Sequence, residues 1–488
     1  MGKKKRMQRE VELKLELPSA RAKQIRKHPL VRGIRPRKRS LEAYYFDTPA
    51  FDLARRRFSL RVRTDGVGFT QTLKHTAAAG GVFDRDEWES PVEGLRLDFA
   101  ALHQTPLRRC RKLLHRLEPV GRSGIERTSW RLEHDGYAID VALDHGSLEA
   151  GRRHESITEL ELELKGGDTE CLFALAEQFA DCAPLRISVL SKAQRVERIA
   201  RGKSGRAAKA GKIVLDAEWN VAQTFSGIAH SCLRHFRLNE DLIVERWDVS
   251  ALHQGRVSMR RLRAALSLFG KTIVDSRLPD LKRDLRWFTS SLGDGRDIDV
   301  FLKRYQDRLS RSDRRKLRSA REAAYAIAHR AIDSDRFRTF VLSFLRWVDT
   351  GSWRCNRNAR SAVKPFAVRR LDRQWKKVRA GGLALDSLDE EQRHRFRIEV
   401  KKMRYSVEFF GSLFDRLKVR NFTKLLEAMQ DCLGDLNDLV TARKLIDTHS
   451  LEFDPDGPPY GQKELAQSLK SFARLDRLGR FWSPGGDR

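Results

Sequence analysis

The sequence of 488 residues is poor in several features that would narrow the class of the protein. Its six cysteines are scattered without close pairs, at Cys110, Cys171, Cys182, Cys232, Cys355 and Cys432. That spacing predicts neither a zinc site nor a disulfide framework, and it favours a reducing, cytoplasmic location. No apolar run reaches the roughly 18 residues that a membrane-spanning helix requires. The basic start of the chain continues into an alternating segment without an apolar core, which is not the pattern of a signal peptide.

Positive charge, by contrast, is abundant. The formal net charge is +31, and most of it lies in residues 201–488. A field of this strength attracts polyanions, which include nucleic acid, acidic membranes and polyphosphate. Nucleic acid is not favoured, because the sequence contains no established nucleic-acid-binding motif and its aromatic residues are not interleaved with the basic stripes as stacking platforms.

The hydrophobic pattern divides the chain into two halves. The first 200 residues alternate with period two, as half-buried strands do, and glycine-containing turns separate the alternating segments. Residues 201–212 are rich in Gly, Lys, Ala and Ser, a composition typical of a linker. From about Leu215 the apolar residues recur at helical spacing. We therefore predict a multidomain α+β protein with a β domain at 1–200, a linker at 201–214 and an all-α domain at 215–488.

The alternating strands carry like charges side by side on their polar face. These sets are Glu10/Glu12, Arg61/Arg63, Glu87/Glu89 and Glu159/Glu161/Glu163. Residues at i and i+2 share one face of a strand, so each set is costly unless something bridges it. Carboxylate pairs suit a divalent cation, and paired guanidinium groups suit a phosphate. A closed barrel would bring both sets into one interior, where a metal and a triphosphate satisfy them together.

The alternative interpretation is an open sheet whose charged faces are solvated and joined by cross-strand salt bridges. It accounts well for any single pair of like charges. It accounts less well for the whole set, in which acidic and basic pairs follow one another strand after strand.

The charged motifs occur in a definite order. The chain opens with Glu10-x-Glu12-x-Lys14, and the motifs that follow are Tyr45-Phe46-Asp47-Thr48, Leu60-Arg61-Val62-Arg63, Thr72-Leu73-Lys74, Arg85-x-Glu87-x-Glu89, Arg127, the strand Asp140–Asp144, Glu159-x-Glu161-x-Glu163 and Ser191-Lys192. This ordered set, over about residues 7–200, resembles the CYTH, or triphosphate tunnel metalloenzyme, family, and the opening motif looks like its ExExK signature. One departure is Phe58-Ser59, where relatives often have Gly before Leu-Arg.

The resemblance implies an eight-stranded antiparallel barrel with flanking helices, open as a tunnel, that hydrolyses or transfers triphosphate groups with Mg²⁺ or Mn²⁺. Carried over residue by residue, it implies phosphate ligands at Lys14, Arg61, Arg63, Lys74, Arg85, Arg127 and Lys192. It implies metal ligands at Glu10, Glu12, Glu87, Glu89, Asp144, Glu161 and Glu163. The residues closest to the chemistry would be Glu10, Glu12 and Lys14.

The resemblance leaves the substrate open, because the family includes inorganic triphosphatases, thiamine triphosphatases and class IV adenylate cyclases. Selection of a nucleoside or thiamine requires an aromatic or shaped pocket. Trp88 and Trp130 are the candidate aromatic residues, although an aromatic residue on a strand more often belongs to the core.

The helical half contains an internal repeat. The segment His253-x-x-Arg256-x-x-x-Arg260-Arg261-x-Arg263 recurs 141 residues later as His394-x-x-Arg397-x-x-x-Lys401-Lys402-x-Arg404. The same offset relates Phe269 to Phe410, Leu292-Gly293-Asp294 to Leu433-Gly434-Asp435, and Asp297 to Asp438. The pattern predicts two duplicated helical bundles, each with one basic helix face.

Two like-charged helices that met across a pseudo-twofold axis would repel each other unless a polyanion lay between them; the alternative is two separate solvated faces. This half, at about residues 215–485, resembles the CHAD domain, an α-helical module with such histidines and basic helices. The resemblance implies binding of inorganic polyphosphate. The contacts that we expect are His253, Arg256, Arg260, Arg263, His394, Arg397, Lys401 and Arg404.

Both resemblances point to inorganic phosphate polymers. We predict a cytoplasmic inorganic triphosphatase that hydrolyses tripolyphosphate to pyrophosphate and phosphate, with a C-terminal domain that binds long-chain polyphosphate or holds the enzyme at polyphosphate granules. One alternative is an organic triphosphatase acting on thiamine triphosphate, or a class IV adenylate cyclase. Another is a non-catalytic protein that binds and organises polyphosphate, which the complete set of acidic residues argues against.

Overall fold

The computed structural model describes residues 8–76, 85–134, 136–453 and 462–482. The chain forms two compact units: the first runs to Arg206 and includes Asp335–Thr350, and the second contains Ala207–Ser334 and the chain from Gly351 onwards. The predicted limits of 1–200, 201–214 and 215–488 stay a prediction. Residues 335–350 lie inside the predicted helical domain in sequence, yet they pack with the first unit.

The described residues form nine strands and seventeen α-helices. The strands are β1 Gln8–Glu16, β2 Arg37–Asp47, β3 Phe58–Thr64, β4 Phe69–Thr76, β5 Arg85–Val92, β6 Glu118–His134, β7 Tyr137–Ala150, β8 Arg153–Gly166 and β9 Arg186–Ile187. The helices are α1 Ala22–Lys27, α2 Pro29–Arg32, α3 Asp52–Arg55, α4 Phe99–His103, α5 Arg111–Leu114, α6 Thr169–Ala180, α7 Lys192–Ala200, α8 Val221–Arg246, α9 Val249–Phe269, α10 Leu278–Ser291, α11 Gly293–Tyr305, α12 Arg311–Ile332, α13 Asp335–Thr350, α14 Val363–Leu383, α15 Glu390–Phe410, α16 Arg416–His449 and α17 Gln462–Leu478.

Eight antiparallel strands of the first unit close into a barrel. Their order is β5-β4-β3-β2-β6-β7-β8-β1, and β1 pairs with β5 to complete the circle. The two-residue strand β9 adds to the edge of β1. The prediction of an eight-stranded antiparallel barrel with flanking helices is confirmed, and closure turns one face of every strand into a shared interior.

The interior of the barrel has a charged zone and an apolar zone. Along β2, the cavity-lining residues Arg37 and Arg39 are followed on the same face by Leu41, Ala43 and Tyr45. Helix α7 packs against the apolar zone in one buried cluster of Leu41, Ala43, Tyr45, Ile125, Leu148, Ala150, Ile157, Val196 and Ile199. A capping box between Ser191 and Gln194 fixes the start of that helix. The charged zone lines a cavity, together with Leu41, Ala43, Tyr45 and Ile125 of the apolar zone.

Helix α13 is tied to helix α6 of the first unit by ion pairs. The guanidinium of Arg346 contacts the carboxylates of Glu170 at 2.5 Å and Glu177 at 2.6 Å. The hydroxyl of Thr350 also donates a hydrogen bond to Glu170. These contacts complete the first unit with a helix that follows it by well over one hundred residues in sequence.

The second unit is helical throughout its described part, and its helices repeat with the predicted offset. Helices α9 and α15 begin and end 141 residues apart, and so do their N-terminal caps Asp248 and Asp389. In the first repeat the chain breaks near Leu292 into α10 and α11, whereas α16 runs unbroken through the matching position. The predicted all-α, duplicated architecture is therefore confirmed. Among the described residues, no helix has the length and apolar character needed to span a bilayer.

Candidate functional sites

A cavity of about 660 Å³ occupies the charged zone of the barrel. Ten basic residues line it: Lys14, Arg35, Arg37, Arg39, Arg61, Arg63, Lys74, Arg127, Arg131 and Lys192. Five acidic residues line it as well: Glu12, Asp140, Asp144, Glu161 and Glu163. The excess of basic groups in a partly enclosed space favours a polyanionic ligand.

Most of the residues predicted for a triphosphate site line this cavity. Glu87 and Glu89 are not among the lining residues, although β5 pairs them with the lining residues Lys74 and Thr72 of β4. Lys74 Nζ lies 3.2 Å from Glu87, and the Thr72 hydroxyl donates to Glu89. The side chains of Glu10 and Arg85 lie outside the described part of the structure. Sequence reasoning missed Arg35, Arg37, Arg39, Arg131 and Asp140, although the i, i+2 spacing of Arg37 and Arg39 before Leu41 is the signal that it used elsewhere. The roles of all these residues stay predictions.

The centre of the cavity is a network of ion pairs between neighbouring strands. Glu161 contacts Lys14 at 2.5 Å and Lys192 at 2.9 Å, and Arg127 holds Asp144 through two hydrogen bonds of 2.6 and 2.7 Å. Lys14 faces Glu161 across β1 and β8, and Arg127 faces Asp144 across β6 and β7. Cross-strand register therefore pairs Glu161 and Asp144 with basic residues, as the salt-bridge interpretation required, but inside a closed barrel.

These pairs keep the buried groups charged. Burial alone would raise the pKa of Glu161, but Lys14, Lys192 and Arg127 outweigh it and hold that pKa well below its usual range. Burial would lower the pKa of Lys192, but Asp144, Glu159 and Glu161 raise it well above its usual value. The cavity is a preorganised set of fixed charges, the kind of environment that binds and polarises phosphate.

The predicted metal ligands, seven carboxylates that include Glu10, stay a prediction. Within the part of the chain that the structure describes, no three His, Cys, Asp or Glu side chains are arranged to hold a metal ion. Asp144 and Glu161 form the ion pairs with basic residues that are described above. One carboxylate still fits a cation, because Glu12 is buried and its Oε1 has no hydrogen-bond partner among the described residues. Glu163 stands directly opposite Glu12 on β8, so these two residues would hold a divalent cation.

The cavity also contains basic groups that suit an anion. The Nε of Arg61 is buried without an acceptor among the described residues. The pKa of Arg63 is lowered first by the charge of Arg61 and then by burial and Arg127. Two guanidinium groups this close together are stabilised by an anion placed between them, and phosphate matches their planar fork.

Asp47, in the Tyr45-Phe46-Asp47-Thr48 motif, has a structural role. Its carboxylate accepts hydrogen bonds from the backbone N–H groups of Leu53 and Ala54, at 2.8 and 3.0 Å, and so holds the start of helix α3. Burial raises the pKa of Asp47 despite these hydrogen bonds. Asp47 therefore fixes a turn of the barrel and is not among the residues that line the cavity, whereas Tyr45 of the same motif lines it.

In the second unit, part of the predicted basic stripe forms one basic cluster, which we define as His253, Arg256, Arg260, Arg397 and Lys401. Helices α9 and α15 pack together, and the charges of Arg260 on α9 and Arg397 on α15 act on each other. The Nε atoms of Arg260 and Arg397 are both buried without a partner among the described residues. Arg263 and His394 are exposed, and Arg404 donates to Gln430 at 2.7 Å.

Aspartates of the same repeat act on the arginines of this cluster. Arg256 lies 3.1 Å from Asp297 and donates to the carbonyl of Gly293, while Asp438, 141 residues after Asp297, acts on the charge of Arg397. The aspartates of the Gly293/Asp297 and Gly434/Asp438 repeat therefore each act on the matching arginine of their own repeat.

Lys401 has the most perturbed charge of the cluster. Burial, followed by the charges of Arg397 and Arg260, lowers its pKa to about 7. Burial, followed by Arg296, lowers the pKa of His253 to about 4. A cationic group held in such a position is stabilised when an anion binds beside it.

Comparison with known protein families assigns both units. The CYTH domain family matches residues 8–196, and the CHAD domain family matches residues 227–447. The chain is a CYTH domain followed by a CHAD domain. The barrel and its cavity belong to the CYTH domain, and the basic cluster belongs to the CHAD domain.

Individual proteins are also similar to this chain. The inorganic triphosphatase of Haemophilus influenzae is 30% identical over 159 residues, which are 31% of this chain and 43% of that protein, so less than half of that relative is covered. An uncharacterised protein of Mycobacterium tuberculosis is 24% identical over 445 residues, 83% of this chain and 81% of that protein. The crystal structure of the CHAD domain from Ricinus communis is 27% identical, with a TM-score of 0.46, and covers 56% of this chain and 92% of that one.

Proposed function

We propose that the CYTH domain is a metal-dependent inorganic triphosphatase that hydrolyses tripolyphosphate to pyrophosphate and phosphate. The observation that carries the proposal is a pair of buried atoms in one cavity that have no hydrogen-bond partner within the described part of the chain: the carboxylate Oε1 of Glu12 and the guanidinium Nε of Arg61. A buried acceptor without a donor and a buried donor without an acceptor are each costly. A metal ion and a phosphate would satisfy them together. The name of the Haemophilus influenzae relative supports the same activity.

The basic residues of the cavity would have different roles, according to their positions. Arg61, Arg63 and Lys74 line the wall that would hold the phosphate oxygens. Lys14, Arg127 and Lys192 are fixed by Asp144 and Glu161, so their charges need no rearrangement as negative charge moves to the leaving phosphate. A divalent cation, Mg²⁺ or Mn²⁺, held by Glu12 and Glu163 would supply Lewis-acid activation of the reacting phosphate.

The cavity favours an inorganic substrate over a nucleoside or thiamine ester. Among the described residues that line it, the aromatic ones are Tyr45 and Trp130, and both are buried. The hydroxyl of Tyr45 lies within hydrogen-bonding distance of Ser123, and Trp88 packs against a separate apolar cluster. No aromatic face of the described lining is therefore exposed for an organic group to stack on.

The CHAD domain is proposed to bind long-chain inorganic polyphosphate. Its support is the basic cluster, in which the Nε atoms of Arg260 and Arg397 are buried without a partner among the residues that the structure describes, and the charges of both arginines act on Lys401. A chain of phosphates is an anion that would supply several acceptors in a row. Within this proposal the protein works in the cytoplasm, where its six unpaired cysteines would stay reduced, and it associates there with polyphosphate granules.

The test is phosphate release from tripolyphosphate, ATP and thiamine triphosphate, with Mg²⁺, Mn²⁺ or chelator. We expect metal-dependent turnover that favours tripolyphosphate and falls roughly 100-fold or more in Glu12→Gln. The matched control is Glu126→Gln, an exposed acid on strand β6 that is not among the residues lining the cavity, and it is expected to keep wild-type activity. Preference for an organic triphosphate would favour the alternative enzymes. Absence of turnover with all three substrates would leave polyphosphate binding as the function.

A further inference from the structure

Short helices cover the outer face of strands β3 and β4. Leu60 of β3 and Leu73 of β4 face away from the cavity, because they alternate with residues that line it, such as Arg61 and Lys74. We define residues 52–57 and 98–117 as the outer cover. Its apolar side chains join Leu60 and Leu73 in one buried cluster, through Leu53 of α3, Leu102 of α4, Leu107 of the 3₁₀ helix Pro106–Cys110, and Leu113 and Leu114 of α5.

The outer cover is strongly basic. Its sequence contains eight Lys and Arg residues and two acids. Both acids are engaged, since Asp52 lies 3.3 Å from Arg55 and Asp98 caps the start of α4. Six basic residues of the cover have no ion pair with any described carboxylate, and we define them as the outer basic patch: Arg56, Arg57, Arg108, Arg109, Lys112 and Arg116.

The patch combines two segments that are about 50 residues apart in sequence. Arg56 Nη1 donates a hydrogen bond to Cys110 Sγ at 3.4 Å, and Leu53 and Leu107 share the buried cluster beneath. All six residues of the patch are exposed except Arg57, which is partly buried. The two segments therefore present their basic side chains on one surface of the barrel, outside the cavity.

Several other exposed basic residues of the CYTH domain have acidic partners. Arg122 lies 2.8 Å from Glu149, and Arg201 lies 2.6 Å from Glu197. The patch differs, because its basic residues gather without such a partner among the described residues. Cationic groups held close together are stabilised when an anion binds between them.

The backbone of Arg57 gives a second reason to assign a role to this surface. Arg57 has a φ of 64°, in the left-handed region that is unfavourable for a residue with a Cβ and favours glycine. Its backbone N–H donates to the carbonyl of Ala54 at 3.0 Å, which fixes the turn between α3 and β3. An arginine at a position better suited to glycine indicates that its side chain is used.

We infer that the outer basic patch binds long-chain inorganic polyphosphate on the outside of the barrel. Guanidinium groups match phosphate oxygens, and a flexible linear chain of phosphates can follow basic residues from two separate segments. The inference extends the proposed function, because the CYTH domain would then hold polyphosphate at a surface of its own, apart from its cavity and from the CHAD domain.

The composition of the outer cover favours a phosphate polymer over a nucleic acid or a membrane. Phe99 is the only Phe, Tyr or Trp of the cover, it is 42% exposed, and the ring of His115 stacks on it with centroids 6.4 Å apart. Successive bases require several aromatic platforms, and a membrane surface requires apolar side chains that insert beside the basic ones. Among the described cover residues, Phe99 is the one exposed large apolar side chain.

The experiment measures binding of long-chain polyphosphate to the full-length protein. The background carries Arg260→Gln and Arg397→Gln, which are expected to weaken binding to the CHAD domain. The test variant adds Arg56→Gln, Arg109→Gln and Lys112→Gln. We expect it to bind roughly 10-fold more weakly than the background at low ionic strength, and to show a weaker dependence of affinity on salt.

A matched control removes the same charge from another surface of the same domain. It adds Lys23→Gln, Arg26→Gln and Lys27→Gln, which are exposed basic residues of α1, to the same background. We expect its affinity to change by less than about 2-fold. Equal losses in the two variants would show a general effect of charge and overturn the inference, as would unchanged affinity in the test variant.

Arg57→Gly tests the patch without weakening the fold. Glycine suits the left-handed backbone at this position, so the thermal stability is expected to equal or exceed that of the wild type. The affinity for polyphosphate is expected to fall roughly 3-fold, through loss of one phosphate contact. A stable variant with unchanged affinity would count against the inference.

Two further ligands identify the partner. Single-stranded DNA and phosphatidylglycerol vesicles are titrated into the background, test and control proteins at the same ionic strength. If the test variant loses more affinity for DNA or for vesicles than for polyphosphate, the choice of polyphosphate is overturned. Binding is measured without turnover, so a protein that hydrolyses no triphosphate would refute the proposed activity and leave this comparison intact. Wild-type affinity in the background would contradict only the proposal for the CHAD domain.

Discussion

Phe269 and Phe410 occupy the same position in the two repeats of the CHAD domain, and their ring centroids lie 6.0 Å apart. A residue can approach its own repeat mate only near the axis that relates the two repeats. Both rings are fully buried, and Phe366 packs against each of them at 5.1 and 6.2 Å. An aromatic core therefore joins the repeats at the ends of the two helices that carry the basic cluster.

Loss of one ring at this axis is expected to destabilise the CHAD domain strongly. Phe410→Ala should lower the free energy of unfolding by about 3–5 kcal/mol, because it removes a fully buried ring and leaves a cavity. The measurement is chemical denaturation of the full-length protein. Leu417→Ala is the control, since Leu417 is exposed on α16 and its truncation is expected to change stability by less than about 0.5 kcal/mol. Similar effects of the two substitutions would contradict the central role of the aromatic contact.

The affinity of the CHAD domain for polyphosphate is expected to fall as the pH rises through about 7. The lowered pKa of Lys401 means that its charged form, which attracts a polyanion, is lost above that pH. A bound polyanion favours the protonated lysine, so binding takes up a proton and is tighter at low pH. Binding is measured at about pH 6 and about pH 8.5 with ionic strength held constant.

Two matched variants test that explanation. Lys401→Arg should bind with little pH dependence in this range, because a guanidinium stays charged. Lys402→Arg should retain the wild-type dependence, since Lys402 is the neighbouring lysine and pairs with Glu399 at 2.6 Å. An unchanged pH profile in Lys401→Arg would show that another group is responsible.

Gly121 is expected to tolerate no side chain. A Cβ there would lie 2.4 Å from the carbonyl oxygen of Glu149 and 2.5 Å from Val196, whereas nothing lies within 4 Å of a Cβ at Gly124 on the same strand. Gly121→Ala should therefore cost about 1–3 kcal/mol of stability by pushing helix α7 away from the barrel wall. Gly124→Ala should cost much less. Thermal or chemical denaturation of the two variants measures the difference. Equal stabilities would contradict the close packing of α7 against Gly121.

Arg346 is expected to contribute to the stability of the CYTH barrel although it lies in the helical half of the sequence. Arg346→Ala removes ion pairs to Glu170 and Glu177 and should lower the free energy of unfolding by about 1–2 kcal/mol. Arg338→Ala on the same helix is the control, because Arg338 pairs with Asp335 of its own turn. Hydrogen exchange of the α6 amides reports the effect locally. Unchanged protection of α6 in Arg346→Ala would contradict it.

The alternation of charged and apolar residues was sufficient to predict the barrel and the duplicated helices, because strand and helix periodicities are local properties. The partners of Asp144 and Glu161 were not predictable in the same way. Arg127 and Lys14 reach those carboxylates through cross-strand register, which depends on strand pairing between distant segments. Asp144 and Glu161, which were predicted to bind a metal, therefore pair with basic neighbours. The buried Oε1 of Glu12, by contrast, has no hydrogen-bond partner among the described residues.

The packing partner of α13 could not be predicted from the sequence for the same reason. Its apolar residues indicate a buried helix, and periodicity identifies the face to be buried but not what will cover it. The ion pairs of Arg346 with acids on α6 involve residues about 170 positions away. The packing of α7 was equally unpredictable from the sequence, because the residues that cluster with Val196 and Ile199 come together only when β2, β6, β7 and β8 pair.

The position of α13 in the chain has a consequence for synthesis on the ribosome. The eight barrel strands and α7 emerge first, but the helix that covers α6 follows roughly 130 residues later, a delay on the order of ten seconds at ordinary elongation rates. During that interval the nascent barrel carries the unmatched acids Glu170 and Glu177 and lacks its last helix. Maturation of the N-terminal half therefore waits for the middle of the C-terminal half to leave the exit tunnel, and a message truncated between the two would yield an unfinished barrel.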